Sequence, residues 1–387
     1  MPAPTRRRRL LAAALGLGFV LTLYWSGALS PRPAPRYAVT DLGVLPGYAA
    51  SDAAAVNSRG DVIGSATPKR PGGSWAGTGG RAYLSHGGIL TDLGALPGTG
   101  GSSAQGINAQ GEVTGSADFP ASRHAFLYSK GRMRDLGTLP GYTDSQGAAI
   151  NDTGEVAGDC TDRSAQPGSL PQHAFFYSHG KMTDLGTLPG GLRSRAWSIN
   201  ATGQVVGECY LRSGRVHFAP FLYDSRRKTM TALPMPPPYN WGFAFHINDR
   251  GQIGGDISGL DETTHAALWG GDRMTDLGAP PGYTSSIARG LNNRGEVVGV
   301  CFRDYNLVQT FLRDHVGGDN LLGRYLHRDT DRAFVYRAGK MQDLNELIPR
   351  DADWTLENAR AINDRGQIVG QGLHHGQERA FLLTPVR

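Results

Sequence analysis

At 387 residues, with 55 glycines, a charged fraction of 19% and a formal charge of +5, the chain suits a turn-rich β protein rather than a helical or disordered one. The charge excess is local: Arg6, Arg7, Arg8 and Arg9 precede the first acidic residue, Asp41, and without them 35 basic residues face 34 acidic ones. A domain so balanced gives no footing for a nucleic-acid partner.

The four arginines open residues 1–29, where an apolar run from Leu10 to Leu29 follows. Positive charge ahead of an apolar run is how an export signal begins, and the run is close to the ~20 residues that cross a bilayer. Ser26-Gly27-Ala28 offers a small-x-small cleavage site. Two readings stay open: a signal peptide removed after Ala28, or an uncleaved signal anchor in which residues 10–29 are the protein's sole membrane contact. Either places the rest of the chain outside the cytoplasm: secreted, periplasmic or held at the inner membrane. Residues 30–36, with three prolines, read as a stiff linker.

From residue 37 one signature recurs. Its first copy is Val56-Asn57-Ser58-Arg59-Gly60-Asp61-Val62-Ile63-Gly64, and the Asn falls at 57, 108, 151, 200, 248, 292 and 363, with spacings of 51, 43, 49, 48, 44 and 71. Repeats of ~40–50 residues mark propeller blades. The signature is that of a β-hairpin: the Asn side chain starts a turn, and the Gly three places on (Gly60, Gly111, Gly154, Gly203, Gly251, Gly295, Gly366) supplies positive φ. A second hairpin follows, as in His124-Ala125-Phe126-Leu127-Tyr128 leading through Ser129-Lys130-Gly131 to Met133-Arg134-Asp135-Leu136-Gly137. Four short strands per unit is the blade pattern.

The last unit stops after its third strand, Arg379-Ala380-Phe381-Leu382-Leu383, whereas the domain opens with an orphan fourth strand, Tyr37-Ala38-Val39-Thr40-Asp41-Leu42-Gly43. The expected fold class is therefore all-β: a seven-bladed β-propeller of four-stranded blades over residues 37–387, closed by the N-terminal strand completing the last blade. The first strands carry small residues (Ala53-Ala54-Ala55, Gly147-Ala148-Ala149, Ala359-Arg360-Ala361), which suits a crowded position at the axis.

The His-Ala-Phe tripeptides at 124–126 and 173–175, together with Asp-Leu-Gly-Thr-Leu-Pro-Gly at 135–141 and 184–190, resemble the HAF-repeat family of bacterial extracellular proteins. The resemblance covers nearly all of residues 37–387. It implies an exported, propeller-like protein and implies little about activity. The chain departs from the pattern at Thr231-Ala232-Leu233-Pro234, where Asp-Leu-Gly is expected, and at Leu347-Ile348-Pro349, which replaces Leu-Pro-Gly.

The repeated Asp (41, 92, 135, 184, 276, 343) and the His or Arg of the neighbouring strand (Arg81, His124, His173, His265, Arg332, Arg379) read as structural cross-strand pairs. Cys160, Cys209 and Cys301 occupy one repeat position, filled elsewhere by Ala66, Ala117, Ile257 and Gly372, and read as buried small side chains. His374 and His375 are adjacent on a strand, so their imidazoles are expected on opposite sides, and no metal site or cofactor is expected.

Function is expected where the repeat varies, in the loops after the second and fourth strands. Those loops bring aromatic rings and guanidinium groups, which suit glycans or protein partners. The candidate ligand-binding residues are Trp75, Arg193, Arg195, Tyr210, Arg212 and Trp241, with Arg303, Tyr305, His315 and His327 from the long insertion between Cys301 and Asp331. No His-Glu-x-x-His, Gly-x-Ser-x-Gly or phosphate-loop pattern occurs. The reading is a monomeric, non-enzymatic binding or scaffold protein. The alternative is a polysaccharide hydrolase or lyase using His315, His327 or the Asp261/Glu262 pair at a central mouth.

Overall fold

The computed structural model describes residues 36–68, 79–163, 171–212, 214, 216–259, 263–303 and 331–386. These residues form 28 strands and two short 3-10 turns, Leu344–Glu346 and Arg350–Ala352, with no α-helix among them. Strand β1 is Tyr37–Asp41. The first unit supplies β2 (Ala50–Val56), β3 (Val62–Thr67), β4 (Arg81–His86) and β5 (Ile89–Asp92), and the second β6 (Gly101–Ile107), β7 (Val113–Asp118), β8 (Arg123–Ser129) and β9 (Arg132–Gly137). The third has β10 (Asp144–Ile150), β11 (Val156–Thr161), β12 (Gln172–Ser178) and β13 (Lys181–Asp184), and the fourth β14 (Gly191–Ile199), β15 (Gln204–Leu211), β16 (Phe218–Asp224) and β17 (Thr229–Ala232). The fifth has β18 (Trp241–Ile247), β19 (Ile253–Ser258), β20 (Thr264–Gly270) and β21 (Arg273–Gly278), and the sixth β22 (Ser285–Leu291), β23 (Val297–Phe302), β24 (Arg332–Arg337) and β25 (Lys340–Asp343). The seventh has only β26 (Trp354–Ile362), β27 (Ile368–His374) and β28 (Gln377–Pro385).

Within each of the first six units the strands pair antiparallel in chain order; the fourth and fifth are also joined by one parallel bridge between Phe218 and Trp241. The last sheet has the order β1-β28-β27-β26, with β1 and β28 in register from Tyr37 opposite Pro385 to Asp41 opposite Phe381. Tyr37 is buried there, its hydroxyl accepting from the Arg337 guanidinium.

One packing rule ties the two repeat motifs together. The glycine that ends each signature lies against the backbone carbonyl of its own first strand. A Cβ on Gly158 would stand 2.0 Å from the Gln146 oxygen and 2.8 Å from the Phe175 ring. Gly207, Gly299 and Gly370 meet Phe221, Phe334 and Phe381 in the same way. The aromatic ring of the third strand thus fills the space that the missing side chain leaves, and Phe126, Phe175, Phe221, Phe334 and Phe381 are all fully buried. Burying each such ring contributes about 2–3 kcal/mol. In the fifth unit Ala267 replaces the ring, and Trp269, two residues on, is buried instead.

The turn asparagines do more than start turns. The Asn57 Oδ1 accepts the N–H groups of Arg59 (3.0 Å) and Asp61 (2.9 Å), as a turn former should. Its Nδ2 also donates to the carbonyl of Asn108, the equivalent residue of the next unit, at 3.1 Å. The same bond links Asn108 to Asn151, Asn151 to Asn200, Asn200 to Asn248, Asn248 to Asn292 and Asn292 to Asn363. Asn363 then donates to the carbonyl of Asn57 at 2.9 Å, returning the series to its start.

Most expected cross-strand pairs form: Arg81–Asp92 (3.6 Å), His124–Asp135 (2.8 Å), His173–Asp184 (2.9 Å) and His265–Asp276 (2.9 Å). Asp41 keeps Arg379 at 3.9 Å and is held more closely by His374 at 2.9 Å. Asp343 departs: it accepts from both nitrogens of Asn345, because it caps the 3-10 turn Leu344–Glu346 just ahead of the segment that replaces Leu-Pro-Gly. The expectation that His374 and His375 diverge is also wrong: their rings stack at 4.2 Å, because β27 ends at His374 and His375 turns away at φ 50°. The three cysteines are buried and free.

Candidate functional site

Strand position, counted from the turn asparagine, decides which side chains meet in one chamber. Three residues before it the seven units carry Ala54, Gln105, Ala148, Trp197, Phe245, Arg289 and Arg360. All seven line one chamber of about 330 Å³, together with Gln146, His246 and Asn358. The expectation that the first strands carry small residues therefore holds at this position only for Ala54 and Ala148. From the fourth unit on, bulky rings and guanidinium groups occupy the position. The turn asparagines line a second, separate cavity of about 400 Å³.

The bulky side of the chamber continues into a tract of rings. Trp197 meets Phe245 edge-on at 5.4 Å, and Phe245 lies nearly parallel to Phe243 at 5.8 Å. Phe243 stacks on Phe218 at 5.2 Å, and Phe218 stacks on Trp241 at 4.9 Å and touches Tyr210 at 5.1 Å. Trp241 ends the tract 41% exposed, which makes it the ring most available to a ligand. Guanidinium groups cover both ends. Arg193 lies over Tyr210 at 4.9 Å, Arg195 over Trp197 at 3.8 Å and Arg289 over Phe245 at 5.1 Å. Such contacts hold a cation in place without consuming its donors.

Buried acids stand behind this wall. Asp159 binds Arg195 at 3.1 Å and accepts from Gln172 at 2.9 Å. Glu208, opposite Arg195 on β15, accepts from the Trp197 indole. Burial pushes Glu208 up to about 8, with the Arg195 charge opposing the rise. Burial likewise raises Asp256 to about 7 against the pull of Arg289, and holds His246 down to about 4, with the Arg289 charge adding to that.

The structure brings Arg193, Arg195, Tyr210 and Trp241 together through this tract. They lie on β14, β15 and β18 rather than in loops, because the ends of these strands carry their alternation up to the tract. Arg212 is exposed just beyond β15, outside the ring contacts. Arg303 is elsewhere, its Nε donating to the Gly282 carbonyl at 2.9 Å. Trp75, Tyr305, His315 and His327 lie outside the described residues, as do Asp261, Glu262 and residues 1–35. Sequence reasoning missed Trp197, Phe218, Phe245, Arg289 and Arg360. Aligning the units on their asparagines would have found all but Phe218, as large residues at a position held elsewhere by Ala or Gln.

Many solved structures share the fold. An oligogalacturonate lyase from Vibrio parahaemolyticus is similar over 89% of this chain and 93% of its own, at 10% identity and a TM-score of 0.55. The fold is a β-propeller. A puromycin-hydrolysing peptidase of Mycobacterium tuberculosis (11% identity, TM-score 0.52) and an acylaminoacyl peptidase (8%, 0.54) are similar over 88% and 87% of this propeller. The chain spans about half the length of these peptidases, 52% and 51% of each. No family model and no curated sequence matches the chain. Among the described residues no helix is long and apolar enough to cross a membrane.

Proposed function

We propose that the protein is an exported or membrane-anchored, non-enzymatic binding propeller whose ligand is a glycan held along the ring tract between Trp241 and the central chamber. In this reading the seven units are the blades of a closed ring, supported by the pairing of β1 with β28 and by the returning series of asparagine bonds. The HAF-repeat resemblance and the leader at residues 1–29 belong to the same proposal, which N-terminal sequencing of the mature protein tests for cleavage.

One observation carries the ligand class. An unbroken line of stacked rings leads from an exposed tryptophan to a chamber lined by polar groups. Flat apolar faces flanked by hydrogen-bonding groups match sugar rings, which have both kinds of surface. Full-length protein in mild detergent, screened on a glycan array and measured by calorimetry, is expected to bind an oligosaccharide. Trp241→Ala is expected to weaken binding about tenfold or more, as loss of an aromatic anchor does. Unchanged affinity in that variant removes the tract from the site.

A second reading, a polysaccharide lyase or hydrolase, is favoured by the likeness to oligogalacturonate lyase over nearly its full length. Release of shortened or unsaturated products by the same preparation establishes it in place of the first.

A further inference from the structure

The chamber has a charge arrangement that the proposed glycan reading leaves unexplained. Arg289 and Arg360 both line it; burial is the main cause that lowers the pKa of Arg289 and the Arg360 charge adds to it, since the two guanidinium groups repel each other. Arg360 is occupied: its Nη1 pairs with Asp52 at 3.2 Å and its Nη2 donates to Gln371 at 2.8 Å. Arg289 is less well matched. Its Nε is buried without a hydrogen-bond partner, and so is the Oδ1 of Asn358 on the neighbouring unit. The acid that attracts Arg289, Asp256, is raised by burial to about 7, so it is partly neutral at physiological pH. A buried donor and a buried acceptor left unmade are costly. Two like charges around a cavity of this size add to the cost; an anion between them would relieve the unpaired donor and the repulsion, and a hydroxyl group on the same ligand would satisfy the acceptor.

We propose that the central chamber is a subsite for the carboxylate of an acidic sugar, a uronic acid, bound by Arg289 with Arg360 adding charge. A carboxylate is flat and matches the guanidinium fork, which a neutral hydroxymethyl group cannot do. The Asn358 Oδ1 accepts from a ring hydroxyl, and Gln105 and Gln146 stand at the same wall as further amide partners. Phe245, under Arg289 and on the chamber wall, supports the sugar ring. The chamber's volume of about 330 Å³ falls at the lower end of small-ligand pockets, room for one sugar rather than several. The inference rests on the glycan reading and adds the charge of the terminal residue to it.

Calorimetry on the full-length protein in mild detergent tests it with two probes: a uronic-acid tetrasaccharide and the same compound with its carboxyl groups reduced to hydroxymethyl groups. The acid is expected to bind at least about tenfold more tightly, as charge-assisted hydrogen bonds give. Arg289→Met is expected to abolish that preference, and Arg289→Lys to restore only part of it, with melting temperatures confirming that both variants fold. Equal affinity for the two probes in the unaltered protein overturns the acidic subsite and leaves the glycan reading in place. A preference that survives in a folded Arg289→Met variant also overturns the assignment. Binding of neither probe, with an empty glycan array, overturns both readings.

Discussion

Replacing Asn363 by alanine tests whether the series of turn bonds is a ring or a line. Asn363 makes four kinds of contact: its Oδ1 accepts from the N–H groups of Arg365 and Gln367, and its Nδ2 donates to the Gln367 side chain and to the Asn57 carbonyl. Asn248 makes the same set with Arg250, Gln252 and the Asn292 carbonyl, and both residues are buried to within 6% exposure. The two differ in one respect: the Asn248 bond spans 44 residues within the chain, whereas the Asn363 bond spans 306 and joins its two ends. Truncation leaves the half-buried N–H four residues on without its partner and removes one of two hydrogen bonds from the carbonyl of the next unit, which keeps the Gly60 or Gly295 N–H. At about 1–3 kcal/mol for the unpaired N–H and about 0.5–1.5 kcal/mol for the bond lost at the carbonyl, the loss is about 1.5–4.5 kcal/mol. In a closed ring Asn363→Ala and Asn248→Ala cost the same within the usual scatter. Urea unfolding followed by tryptophan fluorescence, with equal slopes for both variants, measures the difference. If Asn363→Ala costs less than a third of what Asn248→Ala costs, the ends are not joined as described, and the assignment of a central chamber fails with them.

Three further outcomes follow from the packing and the buried acids. Stability is expected to fall between pH 7 and pH 8, because folded Glu208 keeps a proton, titrating at about 8, that the unfolded chain loses near 4.5. Asp256, raised to about 7, acts in the same sense, and His246 opposes both only below 6.5. From pH 7 to pH 8 Glu208 accounts for about 1 kcal/mol of the loss and Asp256 for about 0.3 kcal/mol; thermal melts of Glu208→Gln should lose most of the slope over that interval, and an unchanged slope excludes Glu208 as the cause. Gly207→Ala places a Cβ 1.8 Å from the Arg195 carbonyl and 2.9 Å from the Phe221 ring. It is expected to destabilise by about 3 kcal/mol or more, since overpacking here meets backbone; a loss below about 1 kcal/mol in urea unfolding contradicts the packing rule. Thr40→Pro, in the middle of β1 opposite Leu382, is expected to free the N-terminal strand. Limited proteolysis should then cut near residue 40 faster than in the unaltered protein, and equal rates would mean that β1 contributes little to the last sheet.

The repeat was legible because each of its parts has a local cause. Gly60 and its counterparts take φ between 74° and 91°, a region closed to most side chains, and the asparagines accept N–H bonds from their own turns. The partner of Tyr37 was legible as well, since a lone fourth strand at one end and a missing one at the other leave a single pairing that removes both edges. Arg193, Arg195, Tyr210 and Trp241 were legible as residue types suited to binding. Their place on strands was not, since rings and guanidinium groups beside turn segments such as Pro189-Gly190 and Pro236-Pro237-Pro238 read as loops.

The sequence by itself determined the strands and the turns, because these depend on neighbours a few residues away and recur with every unit. Only the tertiary structure decided that Trp197, Phe245, Arg289 and Arg360 share one chamber, that each asparagine bonds the next unit, and that Glu208 and Asp256 are buried beside arginines. Those contacts join residues tens to hundreds of positions apart, and their energies depend on the water that the assembled sheets exclude.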